Sequence, residues 1–488
     1  MKMRALRVWI VFFLMTGGLI AQSAEDAVNL LDDEQGFGLR ATAMGNAYTA
    51  LSDDYSGIYW NPAGLTQIKV GQFSGSLSNI SFKTDATFLA NKETENQSAT
   101  KFQSIGLVFP FPVVRGSFVM ALGYQRIKDY EGYVKYNGLN SGSNDLAFDI
   151  QNEFGDLGVL AFDQDLNLGQ SISNQGQLSQ WSFAMAMDLS PNFSAGFTAS
   201  LYDGGSDYSL EYLQTEDTNS YPNSWAISDS MDVHFADLYY TSYEYKQKIK
   251  SEFSGFEFKL GGLFKIIPDH LNVGAVITFP MSLKVDEDWS FKDRLMYEMD
   301  IYENDTYQYT NYYDENLIND SGVFDYIIKV PFKFSGGVSY NFSRFLLSAS
   351  LQYQDWSQLK YDVPNDRPRD EYTDLLDQNP DFKDNFKAVT SYSLGAEVSL
   401  LNSALKLRGG FRYLPTPFKD LSSDYNKTYY SGGIGYQVDP KTMINLSYVR
   451  GSWKRDKYYS YDWDTDPMQT SEEYTTSKIL LGAAFNFR

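Results

Sequence analysis

The chain contains no cysteine in 488 residues and only two histidines, His234 and His270. It therefore has no disulfide framework, no thiolate metal site and no histidine cluster to hold a catalytic metal. Hydrolytic chemistry needs a histidine beside a serine or aspartate. His270 falls in a turn, and His234, in MDVHFADLYY near Asp232 and Asp237, falls in a polar stretch. Neither forms a motif, so the expectation is no enzyme, no cofactor and no metal. Basic residues are also scarce: 40 Lys and Arg stand against 62 Asp and Glu, a formal net charge of −22. That balance argues against nucleic acid, whose phosphates require Lys and Arg. Proline is sparse and no linker composition divides the chain. Beyond the first two dozen residues no apolar run is long enough for a membrane helix, a criterion that barrel strands, crossing with about ten alternating residues, do not have to meet.

What is present is aromatic and periodic. The chain has 37 Tyr and 34 Phe, spread with Gly and Ser over its whole length. At the N-terminus, Lys2, Arg4 and Arg7 precede the apolar run Val8 to Leu14, and Ala21-Gln22-Ser23-Ala24 offers small residues for cleavage after Ala21 or Ala24. Residues 1–24 read as a signal peptide. A membrane anchor is the alternative, but the run falls short of the roughly 20 residues a span needs. No cysteine follows that could carry a lipid.

Farther on, one greasy face alternates with one polar face. In Lys478–Phe487 the apolar face is Ile479, Leu481, Ala483, Phe485 and Phe487; in Ser343–Tyr353 it is Phe345, Leu347, Ala349, Leu351 and Tyr353. Period two marks strands. About fourteen are expected, among them Arg115–Gln125 as the third and Tyr326–Phe342 as one continuous strand. Short turns such as Ser190-Pro191-Asn192 and Asp439-Pro440-Lys441 alternate with long polar loops, including Arg126–Leu178, Gly204–Glu252, Lys284–Val323 and Ser357–Asn385. The fold class is all-β: an antiparallel transmembrane barrel over 69–488, in the outer membrane, with long extracellular loops and both termini periplasmic. Trp181, Tyr353, Trp356, Tyr413, Tyr436 and Trp453 suit interfacial girdles, or simply reflect the strand preference of aromatics. The acidic loop 284–323, with Asp286, Glu287, Asp288 and Asp300 among others, reads either as a divalent-cation bridge to lipid heads or as a solvated surface.

One stretch, Gly36 to Gly64, departs from the strand pattern. Ala41, Met44, Ala47 and Tyr48 recur at helical spacing, Asp53-Asp54 breaks the run, and Asn61-Pro62-Ala63-Gly64 forms a turn. Residues 25–68 are expected to form a short helical plug ahead of the barrel. The segment RATAMGNAYTALSDDYSGIYWNPAGL, in particular Asp53-Asp54 followed by Ile58-Tyr59-Trp60-Asn61-Pro62-Ala63-Gly64-Leu65, resembles the N-terminal hatch of the FadL family of outer-membrane long-chain fatty acid and hydrocarbon transporters.

The resemblance implies passive uptake of hydrophobic small molecules, with outer-membrane lipids as the other expected partner. It also implies a plug that shifts on binding and a sideways exit at a kinked third strand. Asp53, Asp54, Asn61, Pro62, Ala63 and Gly64 are then the plug or gating candidates, and Gly116 and Gly123 the lateral-opening candidates. By strand parity Lys259, Lys333, Lys406, Arg408 and Arg412 point into the lumen with Glu257 and Glu397. Lys259, Lys333, Arg408 and Arg412 are the candidates for a carboxylate head group; an internal salt-bridge ladder is the other reading. Some FadL-like proteins act in secretion or surface attachment, so an outer-membrane scaffold without transport is the alternative function.

Overall fold

The computed structural model describes residues 23–32, 36–144, 146–152, 155–216, 222–229, 232–303, 306–458 and 469–487. The expected signal peptide falls almost wholly on residues outside these. Fourteen antiparallel strands form the ring. They are β1 Gly71–Phe88, β2 Asn91–Phe111, β3 Phe118–Asp129, β4 Leu166–Ser190, β5 Phe193–Thr215, β6 Asp232–Ile267 and β7 Leu271–Thr278. Then come β8 Lys333–Phe342, β9 Phe345–Asp355, β10 Ala388–Leu400, β11 Leu405–Leu414, β12 Lys427–Asp439, β13 Thr442–Tyr458 and β14 Gln469–Phe487. The ring closes where β14 pairs with β1, from Gly71↔Phe487 to Thr87↔Ser471. Closure removes every edge at membrane depth, which a chain in hydrocarbon requires.

Alternation decides which side chains meet lipid. Leu481 is 52% exposed and Leu480 1%. Phe73, Leu77, Trp181, Tyr353 and Tyr436 face outward likewise. Trp356 does not join them: it is buried in a 3₁₀ turn, Trp356–Gln358, that folds into the barrel after β9.

Three stretches read as loops are strands. β4, β5 and β6 run on far past the apolar band, and Met281–Glu303 continues β7 upward along β6. Their outward residues are polar, which makes the sequence look like loop. Their inward residues are aromatic and aliphatic and pack with Phe148, in the hairpin Ala147–Asn152/Gly155–Ala161, and with Phe162 just after it, in a second core containing Leu210, Tyr240, Tyr243 and Tyr297. The tube is thus filled at its outer end. The acidic residues there are largely engaged: Glu287 accepts from Tyr326 Oη at 3.0 Å, and Asp314 pairs with Arg294 at 2.7 Å.

The expected strand Tyr326–Phe342 is divided. Asn319–Val330 ends at Pro331-Phe332 and β8 begins at Lys333. Proline offers no N–H to a ladder, so pairing lapses there.

Candidate functional site

Residues 36–68 lie inside the ring. The helix expected through Tyr48 stops early: α2 is Leu39–Ala43, because Gly45 and Asn46 take φ of 62° and 63°. α3 is Gly57–Trp60, followed by a 3₁₀ helix, Pro62–Gln67. A helix before them, α1 Ala24–Leu31, is capped by Ser23 and sits above, where Arg455 donates to Glu25 at 2.6 Å and Tyr130 Oη to Leu30 O at 3.1 Å.

The wall meets this segment through glycine. A Cβ on Gly410 would lie 1.9 Å from Gly45 N, one on Gly196 2.7 Å from Ala63 N, and one on Gly274 2.2 Å from Thr49 O. Gly106, Gly123, Gly261, Gly337, Gly395, Gly433 and Gly482 make similar approaches to the same segment. Several of these are cross-strand partners, such as Gly106↔Gly123 and Gly274↔Gly337. Side chains are missing where the backbone of the segment needs the space.

Charge fixes the segment in rotation. Arg40 donates from Nε and Nη2 to Glu397 on β10 at 2.8 and 3.0 Å, and from Nη1 to both oxygens of Asp53 at 2.6 and 2.8 Å. Tyr48 Oη donates to Asp53 and Asp54 at 3.0 and 2.9 Å. Asp54 accepts from Ser56 N and Oγ. Buried charges persist only when paired, and removing one partner costs roughly 3–5 kcal/mol. Asn61 bonds Thr49 O at 2.8 Å and Gly262 O at 3.1 Å, and its Oδ1 accepts from Ala63 N. Pro62 packs against Gly196 and Gly261, and Gly64 sits against Ser52.

The head-group candidates separate. Arg408 donates to Glu397 at 2.7 Å and Asn445 at 2.7 Å. Lys406 reaches Glu397 at 3.4 Å. Lys259 donates to Tyr59 O at 3.0 Å and pairs with Glu257 at 3.3 Å. Arg412 is buried on β11 between Ser393 and Tyr429. Lys333 is half-buried and points inward between outward Phe332 and Phe334; among the described residues its amine has no hydrogen bond or ion pair. It borders a small cavity of about 60 Å³ with Tyr59, Met281 and Val330. A larger cavity of about 700 Å³ lies beside α1, lined by Phe82, Tyr208, Phe386 and Trp453 together with Lys128 and Arg455.

Gly116 is not in the third strand. It lies in the turn before β3 with φ of 74°. Gly123 is in β3, and together with Gly106 it seats Tyr55, a residue the sequence did not mark. Tyr55 Oη donates to Ile105 O at 3.0 Å and Gln125 Oε1 at 2.9 Å. The β2–β3 ladder ends one rung above, at Ser104↔Gln125. Beyond it, among the described residues, side chains bridge the two strands, as where Gln103 Nε2 donates to Arg126 O at 2.6 Å.

Residues 325–488 match the family described as "Outer membrane protein transport protein (OMPP1/FadL/TodX)". The structure resembles that of a Pseudomonas aeruginosa FadL homologue, with TM-score 0.56, 12% identity, and coverage of 93% of this chain and 98% of that one. The fold is that of the FadL-type outer-membrane barrels. It also resembles the P. putida toluene transporter TodX, with TM-score 0.51, 13% identity, and coverage of 93% and 100%. No curated protein sequence matches. The FadL resemblance read from Arg40–Leu65 and the family match at the other end of the chain agree, and they place the protein in the outer membrane.

Proposed function

We propose that this FadL-type barrel takes up hydrophobic compounds passively, long-chain fatty acids or hydrocarbons, past a plug formed by residues 36–68. The carrying observation is Lys333, an inward cation without a partner among the described residues, beside a cavity lined by Phe279, Met281 and Val330 together with Glu257 and Gln354. A carboxylate gains a charge-assisted bond to the amine, and a long chain extends past Lys128 toward the cavity of about 700 Å³ beside α1, where burial contributes about 0.8 kcal/mol per CH₂. The names of the similar structures, a FadL homologue and a toluene transporter, support the substrate class. The plug shifts when ligand binds, and the ligand leaves sideways where the β2–β3 ladder ends, beside Gly123. The Arg40–Asp53–Glu397 contacts and the Asn61–Pro62 anchor hold the plug at rest.

Detergent-solubilised protein should bind a labelled long-chain fatty acid saturably, with an alkane as competitor. Lys333→Ala is expected to weaken fatty acid binding about ten-fold, the value of one bond to a charged group, and to leave alkane binding unchanged. Absence of saturable binding by either ligand would favour the scaffold reading. A feature that suits that reading is the strand Thr306–Glu315, which pairs on one side only among the described residues and exposes Tyr307 and Tyr312, an edge open to a partner.

A further inference from the structure

The wall has a second interruption, away from the β2–β3 seam. The β7–β8 ladder stops at Thr278↔Lys333 and the ladder above it starts at Met281↔Val330. Register is the same on both sides, so the two missing rungs set Phe279 opposite Phe332 and Pro280 opposite Pro331. Facing prolines have no N–H on either strand, and no backbone adjustment can close that rung. The two Phe rings lie 5.7 Å apart.

The other flank is open too. β8 pairs with β9 up to Lys333↔Gln354, and pairing resumes only at Lys329↔Lys360. Between them the chain turns inward through Trp356. Pro331 and Phe332 thus have no ladder partner on either side. A barrel wall in hydrocarbon does not leave backbone groups bare; irregular backbone is tolerated where it lines a cavity or meets the interface. This stretch does both. Phe332 and Phe334 are exposed, while just above them Lys329 donates to Ser282 and Lys284 pairs with Asp286, so the gap lies at the outer rim of the apolar band. Behind it, Phe279 and Pro331 line the Lys333 cavity.

We propose that this gap is a side opening to the outer leaflet. The alkyl chain of a single-chain anionic amphiphile passes between Phe279 and Phe332 while its carboxylate meets Lys333 just inside. No ladder bond breaks when it opens; the rings at the gap change rotamer, a ps–ns motion for exposed side chains. The inference rests on the proposed binding of an amphiphile in the lumen.

A cysteine-free chain allows a clean test. Phe279→Cys with Phe332→Cys bridges the gap on oxidation. Val273→Cys with Val338→Cys bridges an intact rung of the same ladder, lower on the wall. In phosphatidylcholine liposomes carrying cis-parinaric acid, a fluorescent long-chain carboxylate, the gap bridge is expected to slow binding about ten-fold, a rise of about 1.4 kcal/mol in the barrier. Dithiothreitol should restore the rate, and the control bridge should leave it unchanged. Pro280→Val with Pro331→Val, which returns two ladder donors, should also slow binding. Equal rates in oxidised and reduced protein, with affinity intact, would overturn the side opening alone. No saturable binding in any form, wild type included, would remove the lumen site and the opening with it.

Discussion

Tyr55 ties the lumen segment to the wall at one rung. Its hydroxyl reaches the backbone of β2 and a side chain of β3 where their ladder ends, and Gly106 and Gly123 make the slot for its ring. Tyr55→Phe keeps the ring and leaves Ile105 O and Gln125 Oε1 short of a donor. An unmet buried acceptor costs about 1–3 kcal/mol. The expected result is a lower unfolding temperature and faster amide exchange at Tyr124, Gln125 and Arg126, with exchange on β11 unchanged. Equal exchange in both proteins would show that the tyrosine fills space and does not hold the seam.

At the scale of elements, the extracellular extension carries its own pH response. Asp293, on the upward continuation of β7, accepts from Leu317 N and Ile318 N at 2.7 Å each and from Tyr243 Oη at 3.3 Å. Burial nevertheless holds its carboxyl above the usual range, and burial does the same to Glu315 on the adjacent strand. A carboxyl raised on folding favours the protonated native state. The stabilising contribution is therefore fully present below the unfolded pKa, and it is lost as pH rises from there through the raised folded pKa. The stretch 306–320, which runs along Met281–Glu303, should exchange its amides more slowly at mildly acid than at neutral pH, after correction for intrinsic rates. Asp293→Asn removes the charge, so it should slow exchange at neutral pH and flatten the pH dependence. A steeper dependence in the variant would contradict this assignment.

At the scale of the whole molecule, the close fit between the segment 36–68 and its glycine-lined wall raises the question of how far the segment has to move. Thr49 lies against Ser350 of β9, with Thr49 N donating to Ser350 Oγ at 3.3 Å. Thr49→Cys with Ser350→Cys ties segment to wall on oxidation. If the plug shifts as proposed, the tied form should bind fatty acid and fail to release it: uptake into proteoliposomes is lost and returns with reductant. Unimpaired uptake by the tied form would mean that ligand passes a stationary segment.

The sequence by itself determined the barrel. Alternation in Lys478–Phe487 and Ser343–Tyr353 sets which side chains face lipid, because strand side chains alternate with period two whatever the tertiary context. The paucity of cysteine, histidine and base excluded most other classes, and Arg40–Leu65 carried the family resemblance. Inward direction at Lys333 and Arg408 was legible for the same reason of parity. Which inward cation keeps a free amine among the described residues was not: Arg408 is engaged by Glu397, eleven positions away on a neighbouring strand, and Lys333 is not. Tyr55 carried no signal, since its role exists only where β2 and β3 converge. The extended outer strands read as loops because their apolar face meets a core assembled from distant segments. The facing prolines were visible singly, but only the register of two strands brings Pro280 opposite Pro331. Local periodicity fixes where a side chain points; what it meets depends on contacts between distant parts of the chain, and those exist only once the ring has closed.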